Sequence, residues 1–374
     1  MTWIIGVPST LGIGRGVGRG NLMDAQAKAQ ARIAEEADTA VPPASAASGL
    51  IDGFGRRIEY VRLSVTDRCD LRCRYCMAER MQFLPRRELL SLEELAELCD
   101  ILIARGVRRI RLTGGEPLVR RDILTLVQAL GRRLGNGLDE ITMTTNATQL
   151  EPVAGLLRAA GMGRLNISLD SRDPDRFRAI TRRGDLAQVQ RGIAAAKQAG
   201  LAIKINMVAL RGINEDEIGD MLAWCGDEGF DLTLIETMPL GAIEEDRTDR
   251  YLPLDAVRER LAERFTLVPS LHRTGGPARY FDVGETGGRL GLITPLSHNF
   301  CAGCNRIRIT ATGTIFGCLG HDQKIELRDL LRAGGPGAMD AALDRLVAGK
   351  PQRHDFRIEA ARPAVERHMS VTGG

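Results

Sequence analysis

Strand-like and helix-like segments alternate along the chain from residue 58 onward, and this pattern predicts an α/β protein built on a parallel sheet. Right-handed crossovers can join the six successive βα units into either a doubly wound sheet or a barrel-like arc. The unusual polar motifs lie at strand ends, which meet on one rim only in a barrel. The sequence therefore predicts an incomplete (βα)6 relative of the TIM barrel, with a C-terminal extension that covers its open side.

Each predicted strand is rich in β-branched or aliphatic residues. Ser91 with Glu94, and Asn214 with Glu217, predict capping boxes at the starts of two intervening helices. The strands are predicted at residues 59–65, 107–113, 140–146, 164–170, 202–210 and 232–238. The polar motifs at the strand ends are CDLRCRYC (69–76), TGGEPL (113–118), TTNA (144–147), SLD (168–170) and ETMP (236–239), with Lys204 and Asn206 within the fifth strand.

Composition excludes several classes of protein. Lys and Arg number 51 against 48 Asp and Glu, so the net charge of +3 gives no reason to expect a nucleic-acid polymer as partner. No apolar run reaches the roughly 18 residues of a membrane span, and no secretory signal is recognisable, so a cytoplasmic location is expected. The eight cysteines should then be reduced. Cys99 and Cys225 stand alone in helical patterns and are expected in the core.

Three regions are expected along the chain. Residues 1–48 join Gly-rich and Pro/Ala/Ser-rich stretches without apolar periodicity, which is typical of a disordered leader or of a wrongly assigned start, with Met23 as an alternative start. Residues 49–264 contain the six βα units and should form the partial barrel. Residues 265–374 should form a C-terminal region that carries a second cysteine group and ends in Gly-Gly.

The first cysteine group is Cys69, Cys73 and Cys76, at spacing C-x3-C-x2-C. A structural zinc site normally uses four protein ligands in paired C-x2-C spacings, and an electron-transfer 4Fe-4S cluster also uses four cysteines. Three cysteines on a short loop instead suit a cubane that leaves one iron open. An open iron can bind a substrate or a cofactor.

The second group is Cys301, Cys304 and Cys318, at spacing C-x2-C-x13-C. One interpretation is a zinc knuckle completed by His298 or His321. The other is a second cubane with one free iron. Two arginines, at 306 and 308, follow within a strand-like run, where a period of two places both guanidinium groups on one face, as phosphate binding requires.

The first group resembles the loop of the radical S-adenosylmethionine (SAM) superfamily. The C-x3-C-x2-C spacing, an aromatic residue before the last cysteine (Tyr75), and GGEPL at 114–118 together carry the resemblance. It implies that the open iron binds the methionine moiety of SAM and that one electron from the cluster yields a 5′-deoxyadenosyl radical. It also places Tyr75 beside the adenine, and the backbone around Gly115 and Glu116 at the methionine ammonium. Glycine suits a position where a ligand lies against the main chain.

Both cysteine groups together resemble the GTP 3′,8-cyclase family, which begins molybdenum cofactor biosynthesis. The resemblance covers about residue 50 to the last residue. Its motifs include RLSVTDRC (62–69), RLTGGEPLVRRD (111–122), NISLDS (166–171), IKINMV (203–208), CAGCNRIRIT (301–310), GCLG (317–320) and MSVTGG (369–374).

The family resemblance implies a role for each matching residue. The expected metal ligands are Cys69, Cys73 and Cys76 for the SAM-binding 4Fe-4S cluster, and Cys301, Cys304 and Cys318 for a second, substrate-binding 4Fe-4S cluster. The expected SAM contacts are Tyr75, Gly115, Ser168 and Met238. The expected GTP contacts are Arg62, Arg111, Thr144, Lys204, Arg306 and Arg308, a basic set that suits a triphosphate. Gly373 and Gly374 are expected to enter the active site as a thin, catalytically required tail.

The implied reaction makes (8S)-3′,8-cyclo-7,8-dihydroguanosine 5′-triphosphate from GTP. The deoxyadenosyl radical removes hydrogen from C3′, and the C3′ radical attacks guanine C8, while the protein mainly positions the reactants. A reducing partner such as flavodoxin or ferredoxin is expected. Cyclic pyranopterin monophosphate synthase should act downstream, and the enzyme should be a monomer or a homodimer.

The chain departs from the family at two positions. Thr233 stands where the family usually has Arg before its strand end, and Ala147 replaces a usual Gly. Two other hypotheses remain open. The first is a radical enzyme that acts on a different nucleotide or on a peptide, against which the paired arginines and the Gly-Gly end argue. The second is a zinc-stabilised binding or redox module without catalysis.

Overall fold

The computed structural model describes residues 49–243, 247–334, 336–357 and 363–373. The expected leader (1–48) and Gly374 lie outside these residues. Within the described ranges, no helix combines the length and the apolar character that crossing a membrane requires.

All six predicted strands are present, each within two residues of its predicted bounds. They are β1 (Tyr60–Ser64), β2 (Arg109–Thr113), β3 (Glu140–Thr145), β4 (Arg164–Ser168), β5 (Ala202–Ala209) and β6 (Asp231–Glu236). Within the described part of the chain, six further strands follow: β7 (Leu267–Pro269), β8 (Arg279–Val283), β9 (Arg289–Ile293), β10 (Arg306–Ile309), β11 (Thr314–Phe316) and β12 (Lys324–Glu326).

Helices cover the outer face of the sheet, and their apolar residues are buried against it. The helices of the six βα units are α1 (Leu92–Ala104), α2 (Ile123–Gly131), α3 (Ala154–Ala159), α4 (Pro174–Thr181), α5 (Leu186–Gln198) and α6 (Ile218–Glu228). The later helices are α7 (Arg247–Arg250), α8 (Leu254–Ala262), α9 (Arg328–Ala333), α10 (Pro336–Ala348) and α11 (Met369–Thr372). Cys99 and Cys225 are buried in α1 and α6, as predicted.

The strands form one sheet in the order β12-β11-β10-β1-β2-β3-β4-β5-β6-β9-β8-β7. Strands β1 to β6 are parallel, β10 pairs in parallel with β1, and β9 pairs in parallel with β6. The remaining pairs at both ends are antiparallel. This is the expected partial TIM-like barrel, and the strands after residue 264 extend its arc at both ends.

The strand register places the predicted basic residues side by side. Arg62 on β1 is paired with Arg308 on β10 and with Arg111 on β2. On the other side of the arc, Asn166 on β4 is paired with Lys204 on β5. Because side chains in register on parallel strands point to the same face, Arg308, Arg62 and Arg111 form one row.

The two predicted helix starts have different outcomes. The capping box of Ser91 and Glu94 is present at the start of α1. The one predicted for Asn214 and Glu217 is wrong, because the Asn214 side chain is fully buried and binds backbone groups instead. Its amide accepts from the Leu210 N–H and donates to the carbonyls of Asp170 and Val208, which fixes the loop that leaves β5.

Candidate functional site

A cavity of about 240 Å³ lies at the carboxyl ends of the parallel strands. Residues of the C-terminal region, including Ala278, Phe300 and Leu319, complete its wall. Of the predicted site residues that the structure describes, all except Gly373 line it: Arg62, Cys69, Cys73, Tyr75, Cys76, Arg111, Gly115, Thr144, Ser168, Lys204, Met238, Cys301, Cys304, Arg306, Arg308 and Cys318.

The first cysteine loop follows β1, and its three thiols face the cavity. Burial raises the pKa of Cys69 and of Cys73, and it raises the pKa of Cys76 to about 12. Because coordination to iron deprotonates a thiol outright, the raised pKa of these free thiols does not oppose their binding to iron. The Asp70 carboxylate accepts from Asn146 Nδ2 at 2.7 Å and from Thr148 Oγ1 at 2.5 Å, which ties the loop to the end of β3.

Two glycines let the GGEPL segment lie directly on the cysteine loop. A Cβ on Gly114 would collide with the Thr66 carbonyl oxygen, and one on Gly115 would collide with the Arg68 carbonyl oxygen. Backbone hydrogen bonds from Gly115 and Glu116 to the same two carbonyls hold the segments together. The requirement for glycine here therefore comes from packing against the chain itself, a reason different from the predicted approach of a ligand.

Glu116 is a buried carboxylate whose structural role the sequence did not indicate. It accepts from the Asn146 N–H at 2.6 Å, from Thr145 Oγ1 at 2.8 Å and from the Leu118 N–H at 3.0 Å. Burial raises its pKa to about 7 despite these donors. Glu116 thus links the end of β2 to the end of β3, below the cysteine loop.

Asp170 is a second site residue without a predicted role. Its Oδ2 accepts from the Tyr75 hydroxyl at 2.6 Å, and its Oδ1 accepts from the Val208 N–H at 2.9 Å. Burial raises the pKa of Asp170 to about 6. Because Asp170 bridges the cysteine loop and β5, it fixes the orientation of the Tyr75 ring. The position of Asp170 in the SLD motif, at the end of a strand, was the one feature of the sequence that could have indicated this role.

Because the family resemblance places Tyr75 beside the adenine of SAM, Asp170→Asn, which removes the charged partner of the Tyr75 hydroxyl, should weaken SAM binding about tenfold. Tyr75→Phe removes the same hydrogen bond from the other side, so the double variant should bind no more weakly than either single one. Titration of the iron–sulfur protein with SAM measures all three affinities. Additive losses would contradict a shared contact.

Four basic side chains that line the cavity are buried. Arg62, Arg111 and Lys204 are exposed by only 7%, 4% and 4%, and Arg308 by 9%. Burial, with a contribution from Arg111, lowers the pKa of Arg62 to about 10. Burial also lowers the pKa of Lys204 and of Arg308 well below their usual values.

Several polar atoms at this site have no hydrogen-bond partner among the described residues. They include Arg62 Nε, Thr144 Oγ1 and Asn206 Oδ1, all on residues that line the cavity. Buried polar groups are normally paired, and buried cations without an anion are costly. The arrangement is therefore suited to a large, polar, anionic ligand.

Tyr280 contacts Lys204 from the C-terminal region. Lys204 Nζ donates to the Tyr280 hydroxyl at 3.1 Å.

Thr233, which stands where the family usually has Arg, is fully buried, and its Oγ1 has no partner among the described residues. A Cβ on Gly291 would lie 2.9 Å from Thr233 Oγ1 and 3.0 Å from the Tyr280 ring, so both pack around this glycine.

The second cysteine trio lines the same cavity, next to the start of β10. Burial alone would raise the pKa of Cys304, but Arg306 and Lys350 lower it to about 7. The two histidines of the zinc alternative have other partners. His298 Nε2 lies 2.6 Å from Asp255 Oδ2, and His321 Nε2 lies 3.0 Å from the Arg353 carbonyl oxygen.

Both trios have the donor chemistry of an iron–sulfur site. No three His, Cys, Asp or Glu side chains within the described ranges converge on a point suited to a single metal ion. A cubane needs no such convergence, because it takes one thiolate on each of three separate iron atoms.

The C-terminal tail reaches the row of arginines. Arg308 Nη1 donates to the Thr372 carbonyl at 3.3 Å and to the Gly373 carbonyl. Gly373 has φ of 73°, and a Cβ there would collide with the Thr113 side chain. Only glycine therefore fits this position of the tail.

Two family models match the chain. The Radical SAM superfamily model matches residues 63–225, and the Molybdenum Cofactor Synthesis C model matches residues 230–356. The barrel, the cysteine loop and this match define a radical SAM protein, a class that uses SAM and a 4Fe-4S cluster.

Curated relatives identify the family more closely. The GTP 3′,8-cyclase of Erythrobacter litoralis is 60% identical over 331 residues, which cover 88% of this chain and 100% of that protein. Those of Rhizobium etli and Rhodopseudomonas palustris are 56% and 57% identical over 338 and 337 residues, covering 90% and 89% of this chain and 97% and 98% of theirs. The chain belongs to the GTP 3′,8-cyclase family.

Among solved structures, the fold resembles Streptococcus suis SuiB. The SAM-bound form matches with a TM-score of 0.52 and 14% identity over 97% of this chain and 83% of that chain. The form bound to precursor peptide SuiA has the same TM-score and identity over 91% of this chain and 75% of that chain. At this level of identity, the similarity concerns the fold alone.

Proposed function

We propose that the protein converts GTP to (8S)-3′,8-cyclo-7,8-dihydroguanosine 5′-triphosphate, in the first step of molybdenum cofactor biosynthesis. The observation that carries this proposal is one cavity that joins both cysteine trios to a row of buried cations with no ion-pair partner among the described residues. A nucleoside triphosphate supplies the negative charge that these cations lack. Family membership supports the same reaction.

Cys69, Cys73 and Cys76 would hold the cluster that binds SAM, and Tyr75, Gly115, Ser168 and Met238 would contact SAM. When bound, cluster and SAM supply a 5′-deoxyadenosyl radical, which starts the cyclisation between C3′ and guanine C8. The contribution of the chain is to position the reactants: Arg62, Arg111, Lys204 and Arg308 neutralise and orient the triphosphate. Arg306 and Thr144 offer further polar contacts to GTP at the cavity wall.

We also propose that Cys301, Cys304 and Cys318 hold a second 4Fe-4S cluster. The trio lines the same cavity as the cations, so a cluster there would lie beside the bound nucleotide and offer an open iron to the guanine. Residues 49–264 would then carry the SAM site and residues 265–374 most of the second site. The Gly373–Gly374 tail would close the site against the arginine row.

The expected partners and location follow from this chemistry. The reaction needs one-electron reduction, for which we propose flavodoxin or ferredoxin, and cyclic pyranopterin monophosphate synthase would use the product. We propose a cytoplasmic location, because the described cysteines are all free thiols and two trios of them are suited to iron. The oligomeric state would be monomer or homodimer.

Incubation of anaerobically reconstituted protein with GTP, SAM and dithionite tests the function. Mass analysis should detect 5′-deoxyadenosine and an isomer of GTP, and the protein should contain about eight iron atoms per chain, as two 4Fe-4S clusters require. Protein that contains zinc and no acid-labile sulfide would overturn the proposal. Cleavage of SAM without a GTP isomer would favour a radical enzyme with another substrate.

Arg62→Met should weaken GTP binding by about 1.5–3 kcal/mol, since a charged hydrogen-bond donor is lost from a buried site. The same change should raise the stability of the ligand-free protein by on the order of 1 kcal/mol, because it removes a buried cation that has no anionic partner among the described residues. Calorimetric titration with GTP and thermal unfolding measure the two effects. Arg108→Met, at an exposed arginine, is the control. Unchanged GTP affinity in the Arg62 variant would contradict a triphosphate contact.

A further inference from the structure

Lys350 is a buried cation that none of the site assignments above includes. It is 2% exposed and follows α10, in the segment 350–357. Its Nζ donates to the Gly317 carbonyl at 2.5 Å, to the Arg306 carbonyl at 3.1 Å and to Cys304 Sγ at 3.5 Å. The three N–H donors of an ammonium are thus all directed to the second cysteine site.

A second buried cation fixes the backbone next to Lys350. Arg56 donates to the carbonyls of Pro351 and Gln352 at 2.7 and 2.9 Å, and to the Cys301 carbonyl at 2.8 Å. Asp52, also buried, holds the Arg56 guanidinium at 2.5 Å. Because Pro351 directly follows Lys350, this anchor determines where the lysine side chain begins.

The backbone partners of Lys350 lie within two residues of Cys304 and Cys318, where β10 begins and β11 has ended. Arg306 begins β10 two residues after Cys304, and Gly317 directly follows β11 and precedes Cys318. Lys350 also packs along the main chain of Gly317: a Cβ added to Gly317 would lie 3.5 Å from the Cβ of Lys350. One ammonium therefore fixes the spacing between the loop of Cys304 and the loop of Cys318.

We propose that Lys350 is a positioning residue for the second iron–sulfur cluster, and that its charge raises the reduction potential of that cluster. The inference rests on the proposed function, since it requires a cluster on Cys301, Cys304 and Cys318. A positive charge and a hydrogen bond at a ligating sulfur stabilise the reduced, more negative state of a cluster. At the first trio, the side chain that donates to a sulfur is neutral: Asn146 Nδ2 lies 3.8 Å from Cys69 Sγ.

The test is redox titration of each cluster, followed by electron paramagnetic resonance. Full-length protein in which Cys69, Cys73 and Cys76 are replaced by Ser isolates the second cluster. In this protein, Lys350→Met should shift the midpoint potential of the second cluster to more negative values. Lys350→Arg keeps the positive charge, so it should leave the potential close to that measured with Lys350. In a chain that keeps only the first cluster, Lys350→Met should leave the potential unchanged. Lys324→Met, at an exposed lysine on β12, is the matched control.

Each outcome decides between the alternatives. A folded Lys350→Met protein with a full second cluster and an unchanged potential would overturn the proposal. If the methionine variant does not fold, Lys350→Gln, which keeps a donor but removes the charge, gives the same comparison. Loss of iron from the second site alone, at an unchanged melting temperature, supports the positioning role. If the protein without the first trio binds no iron even with Lys350 intact, the second cluster itself is refuted.

Discussion

Cys73→Ser should remove about four of the eight expected iron atoms per chain and abolish both 5′-deoxyadenosine formation and GTP cyclisation. A serine hydroxyl is a much weaker ligand for iron than a thiolate, and the loop has no fourth cysteine that could replace Cys73. Iron and sulfide analysis together with mass analysis of the products measures the loss. The second site should keep its iron, because its three cysteines come from a separate part of the chain.

Cys99→Ser is the matched control for this experiment. Cys99 is fully buried in α1, away from the cavity lining, so its replacement should cost some stability and leave the iron content unchanged. Equal iron loss in both variants would mean that the effect of Cys73→Ser reports on folding. Retained cleavage of SAM in Cys73→Ser would contradict the assignment of the first trio.

Gly373→Ala should lower the rate of GTP cyclisation by at least about 100-fold, since a small displacement of a group in the active site has effects of this size. The added Cβ meets the Thr113 side chain, and the left-handed backbone at Gly373 disfavours alanine, so the tail cannot keep its contact with Arg308. Uncoupled cleavage of SAM should continue at a comparable rate. Parallel assays of 5′-deoxyadenosine and of the GTP isomer separate the two activities.

Gly155→Ala provides the comparison, because a Cβ at that exposed helical glycine meets no atom within 4 Å. It should leave both activities unchanged. Full cyclisation by the Gly373 variant would show that the tail makes no contribution to turnover.

Local signals were enough to predict most of the fold. Strand positions follow from short aliphatic runs, and the arc follows from polar motifs at successive strand ends, so β1 to β6 were predicted within two residues. The strand-like run at Arg306 and Arg308 was recognised, but its pairing with β1 was not predicted, because that pairing joins segments that are far apart in sequence. Strand β9 was not predicted. Asn214 was misjudged because the sequence does not reveal that three backbone groups surround its amide.

The candidate site was predictable where a motif fixes spacing. Both cysteine trios, Lys204 and the arginine pair of β10 were identified from the chain, and the structure brings them to one cavity. Asp170 and Lys350 were not, because their significance lies in contacts to Tyr75 and Cys304 across long sequence distances. A single buried lysine or aspartate has no periodicity by which it can be recognised.

The pairing of β1 with β10 has a consequence for how the chain folds. The two strands are separated by more than 200 residues, so one edge of β1 stays unpaired until the last part of the chain has been synthesised. The first cysteine loop directly follows β1, whereas the arginine row is complete only after β10 has docked. An open, apolar strand edge invites association with other chains. Truncated chains that end before residue 306 should therefore aggregate, and late docking of β10 would be the step that both protects the sheet and completes the anion site.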